Sequence, residues 1–199
     1  MITRRWMRCL GTCGMLALFA GGVAPGIAAQ QAAPPAAVQV DDKAGFKEFT
    51  DRVQIYVTLQ KTVESKLPAL KTTELPELIA AHQHALARKI REARSHAKPG
   101  DLFTAAARGA FSRACASAGS ATSRAYTAPD AANPRMHLEV NDVYPGTEPV
   151  TSMSPELLAA FPPLPAEVVY RIVGRTLVLV DVKSRLIVDL ARAILPPTA

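Results

Sequence analysis

The chain has 199 residues, long enough to bury a hydrophobic core, and its 23 basic and 17 acidic residues give a net charge of +6. Arg4, Arg5 and Arg8 all lie in the first 29 residues, so the remainder carries only about +3. A charge this small is poor evidence for nucleic-acid binding, and we expect no nucleic-acid partner.

Residues 1–29 have the three parts of a secretory signal: a basic head, an apolar run from Leu10 to Ile27, and the small residues Ala28 and Ala29. The apolar run is interrupted by Pro25 and followed by a polar stretch, which favours a cleaved peptide over a permanent transmembrane helix. The pattern predicts a periplasmic or secreted protein that uses the Sec pathway and is not transmembrane after cleavage. The paired arginines leave the twin-arginine (Tat) pathway open as an alternative.

A leader rich in Ala, Pro and Gln, residues 30–41, has no periodicity and is predicted to be flexible. From Asp41 or Asp42, apolar residues at helical spacing predict a first helix that ends near Lys66. Ile55 and Leu59 widen its apolar arc to roughly half of the circumference or more. We therefore expect this helix to be buried between two neighbours, or between one neighbour and an oligomer partner.

A second helix is predicted after Thr73 and ends near Pro99. Its predicted inward face contains Leu75, Ile79, Leu86, Ile90, Ala93 and Ala97. A third helix, capped by Asp101 and extending from Leu102 to about Ala116, completes a helical half at residues 42–117. The next segment, residues 118–135, lacks an apolar period and is predicted to be a loop.

The remaining residues, 136–195, are predicted to form the sheet half of one domain that spans residues 42–195. His137 to Tyr144 alternates well enough to be a short strand, and Ser154-Pro155 begins a short helix that ends at Phe161. Residues 168–191 carry three β-branched runs separated by turn residues, a pattern typical of hairpin-linked strands. Because so small a sheet is not stable alone, the sequence predicts an α+β fold in which a three-helix amino-terminal half packs with a three-stranded antiparallel meander.

Four segments of the chain carry a resemblance: HQHALARKIREAR, NDVYP, SPELLAAFPPLP and VVYRIVGRTLVLVDVKSRLIVDL. In this order they resemble a group of uncharacterised exported bacterial proteins across most of the mature chain, a likeness that implies no activity. The segment YRIVGRTLVLVDVKSRLIV is also similar to the end of small periplasmic modules of the RcnB type, which belong to nickel and cobalt homeostasis. That second likeness implies a small antiparallel sheet in the periplasm and does not establish metal binding.

The residues predict no catalytic, cofactor or metal site. His82 and His84 stand roughly 200° apart around a helix and so cannot chelate one ion together. Ser95 and Lys98 have the SxxK spacing of penicillin-recognising enzymes, but they lie at the end of a helix and lack the companion motifs. Cys115 is the one cysteine outside the signal segment, and it is interpreted as a small buried residue. Asp181 and Asp189 are interpreted as a turn residue and a strand-end charge.

One surface of the second helix is basic, with His84, Arg88, Arg91, Arg94 and Lys98 at or beside helical spacing. This basic face could meet an anionic surface component or an acidic envelope protein, although a solvated helix face is the simpler interpretation. We expect an exported cell-envelope protein that acts as a non-catalytic binding or structural module. The alternative is an extracytoplasmic enzyme, a hydrolase, with a polar site that no motif reveals.

Overall fold

The computed structural model describes residues 42–70, 74–118, 137–145 and 153–196, which all belong to one compact unit that spans Val38–Ala199. The helices of these residues are α1 (Asp42–Glu64), α2 (Pro76–Ala93), α3 (Ala105–Ser117) and α4 (Pro155–Ala160), and the strands are β1 (Val168–Val173), β2 (Thr176–Asp181) and β3 (Ile187–Ala191). The strands form an antiparallel sheet of order β1-β2-β3, so the predicted α+β fold and meander are confirmed. The predicted signal peptide, the leader and nearly all of the predicted loop lie outside the described residues.

Aromatic rings join the helices to the sheet. Phe49 of α1 stacks on Phe103 at 4.9 Å between ring centroids, and Phe111 of α3 meets Phe49 edge-on at 5.0 Å. Phe161, just after α4, contacts both Phe111 and Tyr170 of β1, at 4.7 and 5.3 Å. Aromatic pairs of this kind contribute about 0.5–1.5 kcal/mol each beyond the area they bury. The helical layer and one face of the sheet therefore share a single core.

The two turns of the meander follow from their residues. Gly174 has φ +56° and is the first residue of a two-residue turn that brings Val173 opposite Thr176, as a type II′ hairpin requires. At the second turn, Asp181 accepts the Ser184 N–H through Oδ1 at 2.7 Å and the Arg185 N–H through its carbonyl at 2.9 Å. The prediction that Asp181 is a turn residue is consistent with these bonds. The other carboxylate oxygen accepts the Tyr56 hydroxyl at 2.7 Å and so ties α1 to the sheet.

Asp189 is not the strand-end charge that the sequence suggested. It lies within β3, is completely buried, and accepts four backbone N–H groups. These come from Gly100 at 2.9 Å, Leu102 at 2.7 Å, Phe103 at 2.8 Å and its neighbour Leu190 at 2.7 Å. The carboxylate therefore holds the connection between α2 and α3 against the sheet.

Because of these bonds, α3 begins later in the chain than the predicted start at Leu102. Because the Leu102 and Phe103 amides are directed to Asp189, the helix begins at Ala105, and Thr104 is its N-cap, with Oγ1 accepting the Ala107 N–H at 3.3 Å. The predicted cap, Asp101, instead accepts the Lys98 N–H at 3.0 Å in the preceding turn. Thr73, the predicted cap of α2, lies outside the described residues, and the helix begins at Pro76.

Two predicted apolar faces are less buried than expected. On α1, Ile55 is 70% exposed and Leu59 is half-buried, because the helix contacts the rest of its chain along one arc only. Burial between two neighbours of the same chain is therefore wrong for Ile55, and an oligomer partner remains a prediction. On α2, Leu75 and Ile79 are 52% and 37% exposed, since only the later part of the helix packs on the core. Ala93, also predicted to face inward, is exposed.

Residues 137–145 form an irregular segment beside β3. Val143 makes an isolated antiparallel bridge with Leu186, and the Asn141 N–H donates to the Ile187 carbonyl at 2.8 Å. Asn141 has φ +71°, and the turn there breaks the predicted alternation, so that Val143 is 40% exposed while Tyr144 is buried. The segment contributes to a second, smaller core on the sheet face opposite the helices.

Candidate functional site

A groove runs along the outer side of β1, opposite α4 and the proline-rich segment that follows it. Its volume is about 730 Å³, and most of its lining is apolar, including Met153, Leu158, Phe161, Pro163, Leu164 and Val169. A volume in this range is typical of ligand sites in proteins. The groove is therefore the leading candidate for a binding site among the described residues.

Local sequence builds the wall of this groove. Ser154 accepts the Leu157 N–H through Oγ at 3.3 Å, and Pro155 occupies the first helical position, so α4 starts where the sequence predicts. Leu157 is then completely buried, while Leu158 is 55% exposed and lines the groove. The following prolines lack an N–H and cannot continue the helix, so the chain leaves it in an extended form.

Two hydrogen bonds fix the wall against the strand. The Tyr170 hydroxyl donates to the Pro162 carbonyl at 3.1 Å, and the Val168 N–H donates to the Pro165 carbonyl at 3.2 Å. Burial raises the pKa of Tyr170 well above its usual value, so the hydroxyl stays protonated and remains a donor throughout the physiological range. The wall of the groove is therefore positioned by these two bonds and by the core contact between Phe161 and Tyr170.

The part of β1 that lines the groove, residues 168–171, belongs to a strand at the edge of the sheet. β1 pairs with β2 alone, and the two-residue turn makes Val173 and Thr176 a hydrogen-bonded pair. Because hydrogen-bonded and non-hydrogen-bonded pairs alternate along an antiparallel ladder, Tyr170 and Ile172 direct their backbone N–H and C=O groups away from β2. The Tyr170 carbonyl accepts from Arg171 Nη1 at 3.2 Å. The two N–H groups and the Ile172 carbonyl have no partner within the part of the chain that the structure describes.

Arg171 supplies the charge of this groove. It is the ionised side chain of the lining, and among the described residues no carboxylate lies within ion-pair distance of it. Its guanidinium lies over the strand edge, where it covers the acceptor of Tyr170. A guanidinium offers five N–H donors and suits a carboxylate, so Arg171 retains capacity for an anionic group of a ligand.

The basic face predicted on α2 is divided by the structure. Arg91 Nε donates to the Asn141 carbonyl at 2.7 Å, and Arg94 donates to the Asn141 side chain at 3.3 Å and to the Val188 carbonyl at 3.0 Å. Arg94 also lies 5.0 Å from the centre of the Tyr56 ring, and burial lowers its pKa.

The other members of the basic face, His84, Arg88 and Lys98, are exposed, and Arg88 lies 4.0 Å from Glu92. Arg91 and Arg94 thus hold residues 137–145 against the domain. Binding of an anionic partner by the whole face remains a prediction.

Two other groups of the described residues have the chemistry of a metal ligand set or a nucleophile. The ligand atoms of His137, Glu139 and Asp142 lie within 4.8 Å of one another, but all three side chains are exposed, as such groups commonly are without a metal. Cys115 is 1% exposed, and burial raises the pKa of its thiol to about 12. A thiol that is both buried and protonated is a poor nucleophile.

A second apolar surface lies at the start of α2. Leu70, Leu75, Leu78 and Ile79 are each between 37% and 52% exposed, and two clefts of about 550 and 460 Å³ adjoin this region. Neither cleft presents unpaired strand edges, so the surface specifies no ligand geometry of the kind that the groove beside β1 provides.

The sequence patterns predict α4, its proline-rich exit and β1 separately and do not indicate that the three meet in one site. The groove depends on β1 being an edge strand, and strand order is not visible in hydrophobic periodicity. The usable signal was the meander itself, since three strands linked by two hairpins in sequence order leave the first at an edge.

Comparisons with protein-family models, with curated proteins and with solved structures each found no match to this chain. The resemblance to uncharacterised exported bacterial proteins and to modules of the RcnB type therefore remains a prediction. Among the described residues, no helix combines the length and the hydrophobicity needed to cross a membrane.

Proposed function

We propose that this chain is an exported cell-envelope protein that acts as a non-catalytic binding module, and that the groove between α4 and β1 is its binding site. One observation carries the proposal: an apolar groove of about 730 Å³ lies against an edge strand in which the outward N–H groups of Tyr170 and Ile172 and the Ile172 carbonyl have no partner among the described residues. Unpaired donors and acceptors beside apolar walls are the elements from which binding sites for extended ligands are built.

Export is proposed from the order of basic head, apolar run and small residues at the amino terminus. If the proposal is correct, the mature chain begins near Ala29 or Gln30 and is found in the periplasmic or secreted fraction. Mass spectrometry of that fraction measures the terminus directly. Recovery of the chain from the cytoplasm with Met1 intact would contradict the export part of the proposal.

The binding role is tested by introducing a charge into the groove without disturbing the core. Leu158 is 55% exposed, so Leu158→Glu should leave the domain folded while placing a carboxylate against the apolar wall. Val182→Glu is the matched control, because Val182 is 50% exposed in the turn between β2 and β3, outside the groove lining. Burying a leucine-sized side chain in a complex contributes about 1.5–3 kcal/mol, so its replacement by a charge should weaken binding at least tenfold.

The measurement is chemical cross-linking in intact envelopes of cells that produce the tagged chain, followed by recovery of its partners. The proposal predicts partners that cross-link to the unmodified chain and to Val182→Glu but are lost from Leu158→Glu. Equal recovery with both variants would show that the groove is not the binding site. Turnover of a substrate by the purified chain that both variants retain would favour the alternative of an extracytoplasmic enzyme.

A further inference from the structure

We infer that the groove binds an extended peptide segment of a partner protein, which adds to β1 as the next strand of the sheet and presents a carboxylate to Arg171. This inference rests on the proposed function of the groove and names the class of its ligand. It is carried by the direction of the backbone groups of β1, the position of the apolar wall and the charge of Arg171.

The backbone of β1 selects an extended ligand. The outward N–H groups of Tyr170 and Ile172 and the outward Ile172 carbonyl are separated by one residue, the spacing at which a neighbouring strand offers its own donors and acceptors. A peptide strand placed there, about 4.8 Å from β1, would pair with these groups. A compact small molecule would not satisfy this repeat.

The two sides of β1 then specify the ligand's side chains. Tyr170 and Ile172 belong to the core beneath the helices, whereas Val169 packs against the smaller core on the opposite face. Side chains of an added strand alternate in the same way. One set would contact the wall formed by Leu158 and the prolines and should be apolar, and the other set would lie beside Val169 and Arg171.

Arg171 accounts for both the free and the bound state. In the free chain its guanidinium donates to the Tyr170 carbonyl, and a charged side chain over an edge strand opposes uncontrolled pairing with other strands. An arriving strand would take over the Tyr170 carbonyl through its own N–H. The released guanidinium would then be available to an Asp or Glu of the ligand, so we expect apolar and acidic residues to alternate in the ligand.

A displayed library of random peptides, selected on the full-length chain, tests this inference even while the natural partner is unidentified. Each selected peptide is synthesised with an N-methyl group at one backbone nitrogen at a time. Strand addition predicts that methylation weakens binding at every second position, where the N–H faces β1, and has little effect at the positions between. Equal effects at consecutive positions, or selection of no peptide, would overturn the inference.

Arginine variants test the predicted carboxylate contact. Arg171→Gln should weaken a selected acidic peptide about two- to fivefold, the range expected for an exposed ion pair, and should not affect the same peptide with Gln in place of its acidic residue. Lys47→Gln, on the exposed surface of α1 and outside the groove lining, is the control and should change neither affinity. Equal loss with both peptides would remove Arg171 from the inferred contact.

The outcomes distinguish this inference from the proposed function. Cross-linked partners that depend on Leu158, combined with no alternation in the methylation scan, would overturn strand addition and leave the groove as a binding site. Loss of both results would refute both. A concentration-dependent dimer that selected peptides do not dissociate, with the Tyr170 and Ile172 amides protected in it, would show that a second copy occupies the edge, which also overturns the inference.

Discussion

Replacing the buried carboxylate Asp189 by its isosteric amide should be among the most damaging single changes to this fold. Asp189→Asn keeps one oxygen that can accept the Gly100 and Leu190 amides, but it directs an NH₂ group at the two N–H groups of Leu102 and Phe103. The two backbone N–H groups then meet another hydrogen-bond donor at a completely buried position and have no acceptor. The variant retains shape and loses acceptors.

The magnitude follows from those two groups. A buried N–H left without an acceptor costs about 1–3 kcal/mol, so the pair should lower the free energy of unfolding by roughly 2–6 kcal/mol. That is a large part of the roughly 5–15 kcal/mol by which whole domains are stable. Because the connection between α2 and α3 depends on these bonds, the loss should be global.

Urea denaturation followed by circular dichroism at 222 nm measures the change, with the midpoint lowered and the slope retained if unfolding stays two-state. Asp142→Asn is the control, because Asp142 is an exposed aspartate of the 137–145 segment, and it should fall within about 0.5 kcal/mol of the unmodified chain. If Asp189→Asn were as mild as this control, the four-bond account of Asp189 would be wrong.

Three further predictions concern the core. Leu179→Ala, at a completely buried position of the central strand, should lower the free energy of unfolding by about 2–5 kcal/mol. The thermal transitions followed by circular dichroism at 222 nm and by tyrosine fluorescence should both shift down and stay coincident. Helices that melt at their original temperature would show two independent units. Gly45→Ala should destabilise the domain by roughly 1–3 kcal/mol in urea titrations, because a Cβ would lie 2.8 Å from the Ala106 carbonyl oxygen. In Gly109→Ala the added Cβ meets only the movable Arg113 side chain, so this variant should be neutral or stabilising. A greater loss of stability in Gly109→Ala than in Gly45→Ala would contradict the close packing of α1 on α3. Since the pKa of Cys115 rises on folding to about 12 from a reference value of 9.0, its contribution to stability is complete below pH 9 and is lost as the pH rises toward 12, by at most about 1.4 kcal/mol per pH unit. Cys115→Ala should flatten that dependence in unfolding measurements between pH 8.5 and pH 10, and an unchanged slope would refute this assignment.

The sheet could be predicted because its determinants are local. β-branched runs, Gly174 at the first turn and Asp181 at the second specify strands and hairpins without reference to the rest of the chain. The start of α4 was predictable for the same reason, since Ser154 and Pro155 act within a single turn. The α+β fold then followed from the need to cover one apolar face.

What the sequence left out depends on contacts between distant residues. The phase of the α2 stripe was correct at Leu86 and Ile90, but periodicity does not reveal where the core ends, so Leu75 and Ile79 were wrongly placed inside it. Asp189 resembled a surface charge because its partners are backbone amides nearly 90 positions away in sequence. Every residue except proline has a backbone N–H group, so the sequence does not show which of these groups a buried carboxylate binds.

The groove was missed for a related reason. Its wall comes from α4, its floor from β1 and its charge from Arg171, and only the folded arrangement makes these neighbours. Apolar residues such as Leu158 resemble core residues in the sequence, although the structure leaves that side chain 55% exposed. The position of an exposed apolar residue beside an edge strand is therefore a property of the fold.

Residue-resolved amide hydrogen exchange by NMR measures whether the outward amides of β1 are unpaired in the free chain. In the free chain, Arg171 and Val173, whose amides face β2, should exchange slowly, whereas Tyr170 and Ile172 should exchange markedly faster. Addition of a selected peptide should slow Tyr170 and Ile172 and leave the other two unchanged. Equal protection of all four amides in the free chain would show that the edge is already paired, and the account of the groove as an open strand-binding site would be contradicted.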